Sequence, residues 1–136
     1  HLLNLELSEA LALAEDAGAR VVELQVAGAF HSPLMAQAAE GLREELADAE
    51  LKPAKIPVVA NVTGEYHKGD PEAVKSLLVK QLTCCTLWQK SMEQLLADGC
   101  DRFYEIGPGR VLKGLMRRID RKADLANVND ASSVTG

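Results

Sequence analysis

Apolar positions along this 136-residue chain follow two periods, helical and strand-like, and the two alternate. Leu3, Leu7, Leu11 and Ala14 share one helical face, and Gly18 stands where a helix would close. Val21 to Val26 reads as a strand. From Pro33 to about Asp48 the helical period returns, with Leu34, Met35, Ala38, Ala39, Leu42 and Leu46 as its buried stripe. Ser32 is a natural N-cap for that helix, and Pro33 suits its first position. Ile56 to Val62 reads as a short buried strand, with a turn beginning at Thr63-Gly64. Asp70-Pro71 opens a helix carrying Val74, Leu77, Leu78 and Leu82. A further helix from Leu87 to Asp98 sets Leu87, Trp88, Met92, Leu95 and Leu96 inward, and Gly99 ends it. Arg102 to Ile106 is a strand. A helix from Gly109 onward turns Val111, Leu112, Leu115, Met116 and Ile119 inward, and Leu125 to Val128 is a last strand. The small, polar tail from Ala131 to Gly136 is expected to fray. Strands separated by helices predict an α/β fold, a mostly parallel sheet with flanking helices.

Composition adds bounds to that picture. A hydrophobic content of 47% and a charged content of 26% describe an ordinary soluble globular domain with room for a core. No run approaches the roughly 20 apolar residues that span a membrane. The three cysteines, two of them adjacent at Cys84-Cys85, form no disulfide framework and no zinc spacing, which fits free thiols in a reducing, cytoplasmic setting. No metal site is expected. Asn61-Val62-Thr63 matches a glycosylation sequon, a chance match in such a setting. The net charge of −5 is uneven. Arg110, Lys113, Arg117, Arg118, Arg121 and Lys122 lie close together with one acid, Asp120, so this stretch is strongly basic in an acidic chain. One short basic stretch and 4% aromatic residues argue against a nucleic-acid partner. The stretch reads either as a solvated helix face or as a docking patch for an acidic protein.

Candidate chemistry concentrates at two strand-to-helix junctions. The first is Gly28-Ala29-Phe30-His31-Ser32-Pro33-Leu34-Met35, with a histidine just before a helix start. The second is Glu105-Ile106-Gly107-Pro108-Gly109-Arg110-Val111-Leu112. Its glycines lack the residues of a phosphate-binding loop and read as a tight structural turn, with Glu105 pairing or capping. A histidine suits general-base work because its ordinary pKa lies near neutrality. Together the junctions resemble the malonyl-CoA:acyl carrier protein transacylase family over about residues 11–130, in which Gly-Ala-Phe-His-Ser carries the catalytic histidine. That family's nucleophilic serine sits in a Gly-His-Ser-Leu-Gly-type elbow, and this sequence has no such segment. The resemblance therefore implies the C-terminal part of such an enzyme, with the missing N-terminal part as a partner.

Further expectations follow from the resemblance. His31 would be the base, acting on a serine that attacks a malonyl thioester, and no cofactor is implied because malonyl-CoA is a substrate. Gln81, in Lys80-Gln81-Leu82, stands where the family uses a main-chain carbonyl to orient the histidine. The family commonly has a proline shortly after it, where this chain has Cys84-Cys85-Thr86. Phe30 precedes the histidine, as in malonyl-selecting relatives; methylmalonyl-selecting ones carry serine. Lys113, Arg117, Arg118 and Arg121 would meet acyl carrier protein, an acidic partner. Residues 1–27 would be the remnant of a small ferredoxin-like subdomain, and residues 28–136 part of a large α/β-hydrolase-like one. An acyltransferase domain of a polyketide or fatty-acid synthase, and a non-catalytic interaction module, are the alternative readings.

Overall fold

A computed structural model describes residues 7–22, 29–67, 69–130 and 132. Helix α1 (Leu7–Asp16) ends where Gly18 donates its amide to the Glu15 carbonyl at 2.8 Å, in the cap position the sequence predicts. Val21 and Val22 are irregular, and the rest of the expected strand, together with Leu3, lies outside the described residues. The expected helix from Pro33 begins as a single 3-10 turn, Pro33–Met35, and continues as α2 (Ala36–Ala47). Ala39 of its stripe is buried and Met35, Leu42 and Leu46 are half-buried, but Ala38 is exposed and Leu34 is 81% exposed. The tight turn rotates Leu34 off the buried face.

The predicted strand Ile56–Val62 is a correction. Only Val59–Ala60 (β1) pair, and they pair antiparallel with Glu65–Tyr66 (β2), so this part is a small hairpin and not a strand of a parallel sheet. Gly64, at φ +64° in its loop, lies so close to the Lys90 side chain that a Cβ there would sit 2.8 Å from it. Only glycine fits that approach without displacement.

Helix α3 (Pro71–Gln81) starts at Asp70, whose Oδ2 accepts the Ala73 amide at 2.8 Å. Its buried side chain is Val79, whereas Leu78, expected inside, is exposed. Lys75 donates to the Ala47 carbonyl at 3.2 Å, a cation at the C-terminal end of α2. The start of α3 thus meets the end of α2, and the two helices run antiparallel.

Helix α4 (Trp88–Ala97), strand β3 (Arg102–Ile106), helix α5 (Val111–Ile119) and strand β4 (Asp124–Val128) follow among the described residues. β3 and β4 are parallel, with Phe103 opposite Leu125 and Glu105 opposite Asn127, and α5 is the crossover that parallel strands require. Met92, Met116 and Leu125 form the core, with Trp88, Leu95, Leu96, Phe103, Ile119 and Ala123 packed against it. The other face of the pair carries the Arg102–Asp124 ion pair at one end, and beyond it Tyr104 is exposed and Ile106 is 82% exposed. On α5, Met116 is almost wholly enclosed, but Val111, Leu112 and Leu115, all expected inward, are exposed. The fold is α/β, and among the described residues one of its two strand pairs is parallel. No helix among them is long and apolar enough to cross a membrane.

Candidate functional site

His31 sits just before the Ser32 cap of the turn that leads into α2, at φ +60°, a left-handed conformation that costs an L-residue roughly 1–2 kcal/mol. Ser32 offsets that cost from both sides. Its hydroxyl donates to the Ala29 carbonyl at 2.7 Å and accepts the Leu34 amide at 3.3 Å, so it bridges the turn around His31 while capping the helix. The imidazole Nδ1 lies 2.7 Å from the main-chain oxygen of Gln81. Nδ1 donates in this contact, because a carbonyl oxygen can only accept; the proton is thereby assigned to Nδ1 and Nε2 is left as the lone-pair nitrogen. Among the described residues Nε2 makes no hydrogen bond.

The Gln81 carbonyl is available for a physical reason. It belongs to the last residue of α3, and the final carbonyls of a helix have no intrahelical partner. The amides that follow turn back elsewhere: Leu82 to Val79, Thr83 and Cys84 to Lys80. Antiparallel packing of α2 and α3 sets the beginning of one against the end of the other, so His31 meets an orphan acceptor carrying the negative end of the helix dipole.

The structure brings His31 and Gln81 together, fifty residues apart in sequence. Phe30 adjoins them in the chain and is 59% exposed, so its ring is not core among the described residues. The basic residues lie elsewhere, on α5 and just after it. Lys113, Arg117 and Arg121 line one shallow cavity of about 160 Å³ between α5 and β4, and Arg118 does not line it. Cys85 and Cys100 are exposed and Cys84 half-buried, all three as free thiols. No group of three or more metal-ligating side chains occurs among the described residues.

One residue, Asn61, acquires a role that the sequence reading did not give it, and Glu105 takes the one it was given. Asn61 donates its Nδ2 to the Gln81 side-chain oxygen at 3.4 Å, and its carbonyl accepts the Leu87 amide at 2.7 Å. Its only sequence signal was the sequon, which points to other chemistry. Glu105, read as a pairing or capping residue, closes the second junction entirely. Its carboxylate accepts the amides of Leu112 and Lys113 at 2.9 and 3.1 Å and the Asn127 amide at 2.6 Å. Burial pushes the Glu105 carboxyl upward, but these donors, with the nearby Lys113 charge, outweigh it and hold the group below the usual glutamate range.

No protein-family model matches the chain. The chain is 38% identical over 125 residues to the malonyl CoA-acyl carrier protein transacylase of Bacillus subtilis (strain 168), a match covering 90% of this chain and 38% of that protein. Its backbone superposes on the malonyl CoA-acyl carrier protein transacylase from Clostridium perfringens with a TM-score of 0.88 at 31% identity, covering 95% of this chain and 40% of that one. A malonyl-transacylase solved in complex with its type II PKS acyl-carrier protein gives a TM-score of 0.87 at 36% identity, covering 94% and 41%. The chain spans about two fifths of the length of the relatives it matches.

Proposed function

We propose that this chain, related by sequence and by fold to the malonyl-CoA:acyl carrier protein transacylases, is the base-bearing C-terminal part of such an enzyme. The observation that carries the reading is the 2.7 Å contact from His31 Nδ1 to the Gln81 carbonyl, within a histidine turn of the family's sequence. It leaves Nε2 without a hydrogen bond among the described residues, the state a general base must have before it can take a proton.

The chemistry divides into two transfers. Nε2 of His31 takes the hydroxyl proton of a serine outside this chain as the serine oxygen attacks the malonyl thioester carbonyl. The carbon–sulfur bond breaks, and the departing sulfur takes that proton from Nε2, so coenzyme A leaves as the thiol and Nε2 is bare again. In the return transfer Nε2 deprotonates the carrier-protein thiol. That sulfur attacks the seryl ester, and the serine oxygen recovers the proton. At each stage the imidazolium faces the carbonyl end of α3, an acceptor suited to positive charge. The usual carboxylate partner is replaced by an oriented dipole.

The partner surfaces follow. The uncovered Tyr104 and Ile106 face of the β3–β4 pair, and the exposed Val111, Leu112 and Leu115 of α5, suit coverage by the rest of the enzyme, since parallel sheets are normally buried on both faces. Residues 28–136 would then belong to the large subdomain and residues 1–27 to a small ferredoxin-like one. Lys113, Arg117, Arg118 and Arg121 form the docking patch for acyl carrier protein, the first, second and fourth of them around one concavity. Phe30, exposed beside the base, crowds an α-methyl group and favours malonyl.

The test is acyl loading from radiolabelled malonyl-CoA. The chain alone should give no stable acyl-protein, because it lacks the serine elbow. Fused to the nucleophile-bearing portion of the Bacillus subtilis relative, it should form an acyl-enzyme and pass the label to acyl carrier protein. Stoichiometric label on the chain alone, or no label on the folded fusion, overturns the proposal.

A further inference from the structure

The orienting carbonyl is only as well placed as the segment that carries it. Residues 82–86 join the end of α3 to the start of α4 without a proline, and Cys85 and Thr86 are exposed. Asn61, half-buried just after β1, touches both ends of that segment. Its side-chain nitrogen reaches Gln81 Oε1 at 3.4 Å, and its main-chain oxygen takes the Leu87 amide at 2.7 Å. Gln81 is thus held through its side chain while its main chain serves His31. Asn61 is itself fixed, because Thr63 and Gly64 both donate to the Ala60 carbonyl, and Lys90 of α4 binds the hairpin at Thr63 O and Glu65 Oε1.

We propose that Asn61 is a positioning residue for His31, anchoring the Gln81 side chain so that the Gln81 carbonyl stays aimed at Nδ1. The inference rests on the reading of His31 as the base, but its first test does not. Asn61 touches neither the imidazole nor any reacting atom; it acts one residue removed. The side chain of Gln81 therefore matters, although the atom that meets His31 belongs to the backbone. A displacement of the acceptor by about 1 Å is enough to cost a large factor in rate.

Nitrogen-15 NMR of the His31 ring in this chain reads the contact directly. Wild type should show a protonated Nδ1 and a bare Nε2. Asn61→Ala and Gln81→Ala should each shift the ring toward a mixture of tautomers, and the double variant should shift it no further, because both remove the same bond. Glu105→Gln, which weakens the second junction without touching the hairpin or Gln81, serves as the control for general destabilisation and should leave the ring signature in place. In the completed enzyme Asn61→Ala should slow acyl loading by roughly tenfold at unchanged malonyl-CoA affinity. A wild-type tautomer signature in Asn61→Ala, or additive shifts in the double variant, overturns the proposal. An enzyme that fails to load at all while the tautomer cycle behaves as described counts against the base assignment and not against Asn61.

Discussion

The two turns that lead into α2 and α5 are built alike and finished differently. At each, an ionisable side chain sits where a chain turns into a helix, and at each it is bound by main-chain atoms of another element. Glu105 is buried, and three donors meet its carboxylate, from α5 and from β4. His31 is exposed, held among the described residues at one nitrogen, in a left-handed conformation. A closed polar site stabilises a turn; a half-closed one keeps a functional atom facing outward at the cost of local strain. Location at a junction therefore does not separate structure from chemistry. The unfinished hydrogen bonding does.

That contrast can be broken from either side. The largest effect belongs to the open junction. In the completed enzyme His31→Ala should lower acyl-enzyme formation by about 10²–10⁴-fold, the usual worth of general-base catalysis, while malonyl-CoA affinity changes little. Single-turnover loading measures the first and equilibrium binding the second. A near-normal loading rate would make His31 as structural as Glu105.

Glu105→Gln should act in the opposite sense, lowering the urea midpoint of unfolding and leaving His31's ring environment unchanged. The wild-type dependence on pH has a fixed sign. The folded carboxyl is held below its ordinary value, so its charge stabilises the fold above the unfolded value of about 4.3, and that contribution is lost as the pH falls through the folded one. Urea midpoints measured from neutral to acid pH should fall on the acid limb for wild type and fall less for Glu105→Gln. Equal slopes would show that the three donors do not hold the charge.

Smaller effects sharpen the comparison within the open junction. Ser32→Ala removes both bonds that brace the histidine turn and should cost about 1 kcal/mol of stability, the ordinary value of a helix cap. Phe30→Ser in the completed enzyme should raise kcat/KM for methylmalonyl-CoA relative to malonyl-CoA by about tenfold, since one methyl is worth about 1–3 kcal/mol. An unchanged ratio would limit Phe30 to packing.

Much of this architecture was legible in the chain because local rules decided it. Asp70-Pro71 and Ser32-Pro33 mark their helix starts through capping, and β3 matches its predicted bounds residue for residue. The misses share a cause. Leu34, Leu78, Val111, Leu112 and Leu115 are apolar at helical spacing, so periodicity assigns them inward, yet all are exposed. Periodicity reports that a face is meant for burial, not which surface covers it. The hairpin at β1 is not legible because a mostly apolar stretch, Ile56 to Val62, does not reveal that only two of its residues pair. Within the site, His31 and Gln81 were named through motif and position, while their contact, and the part of Asn61 in it, depends on α2 and α3 packing antiparallel, which no local spacing encodes.

The central claim is that the open junction holds a pre-oriented base. Long-range nitrogen-15 correlation spectra of the wild-type chain near neutral pH test it most directly. The account predicts that the neutral His31 ring carries its proton on Nδ1, shared with the Gln81 carbonyl, and that Nε2 is unprotonated. A ring protonated at Nε2, or one exchanging freely between tautomers as an unrestrained histidine does, would contradict it.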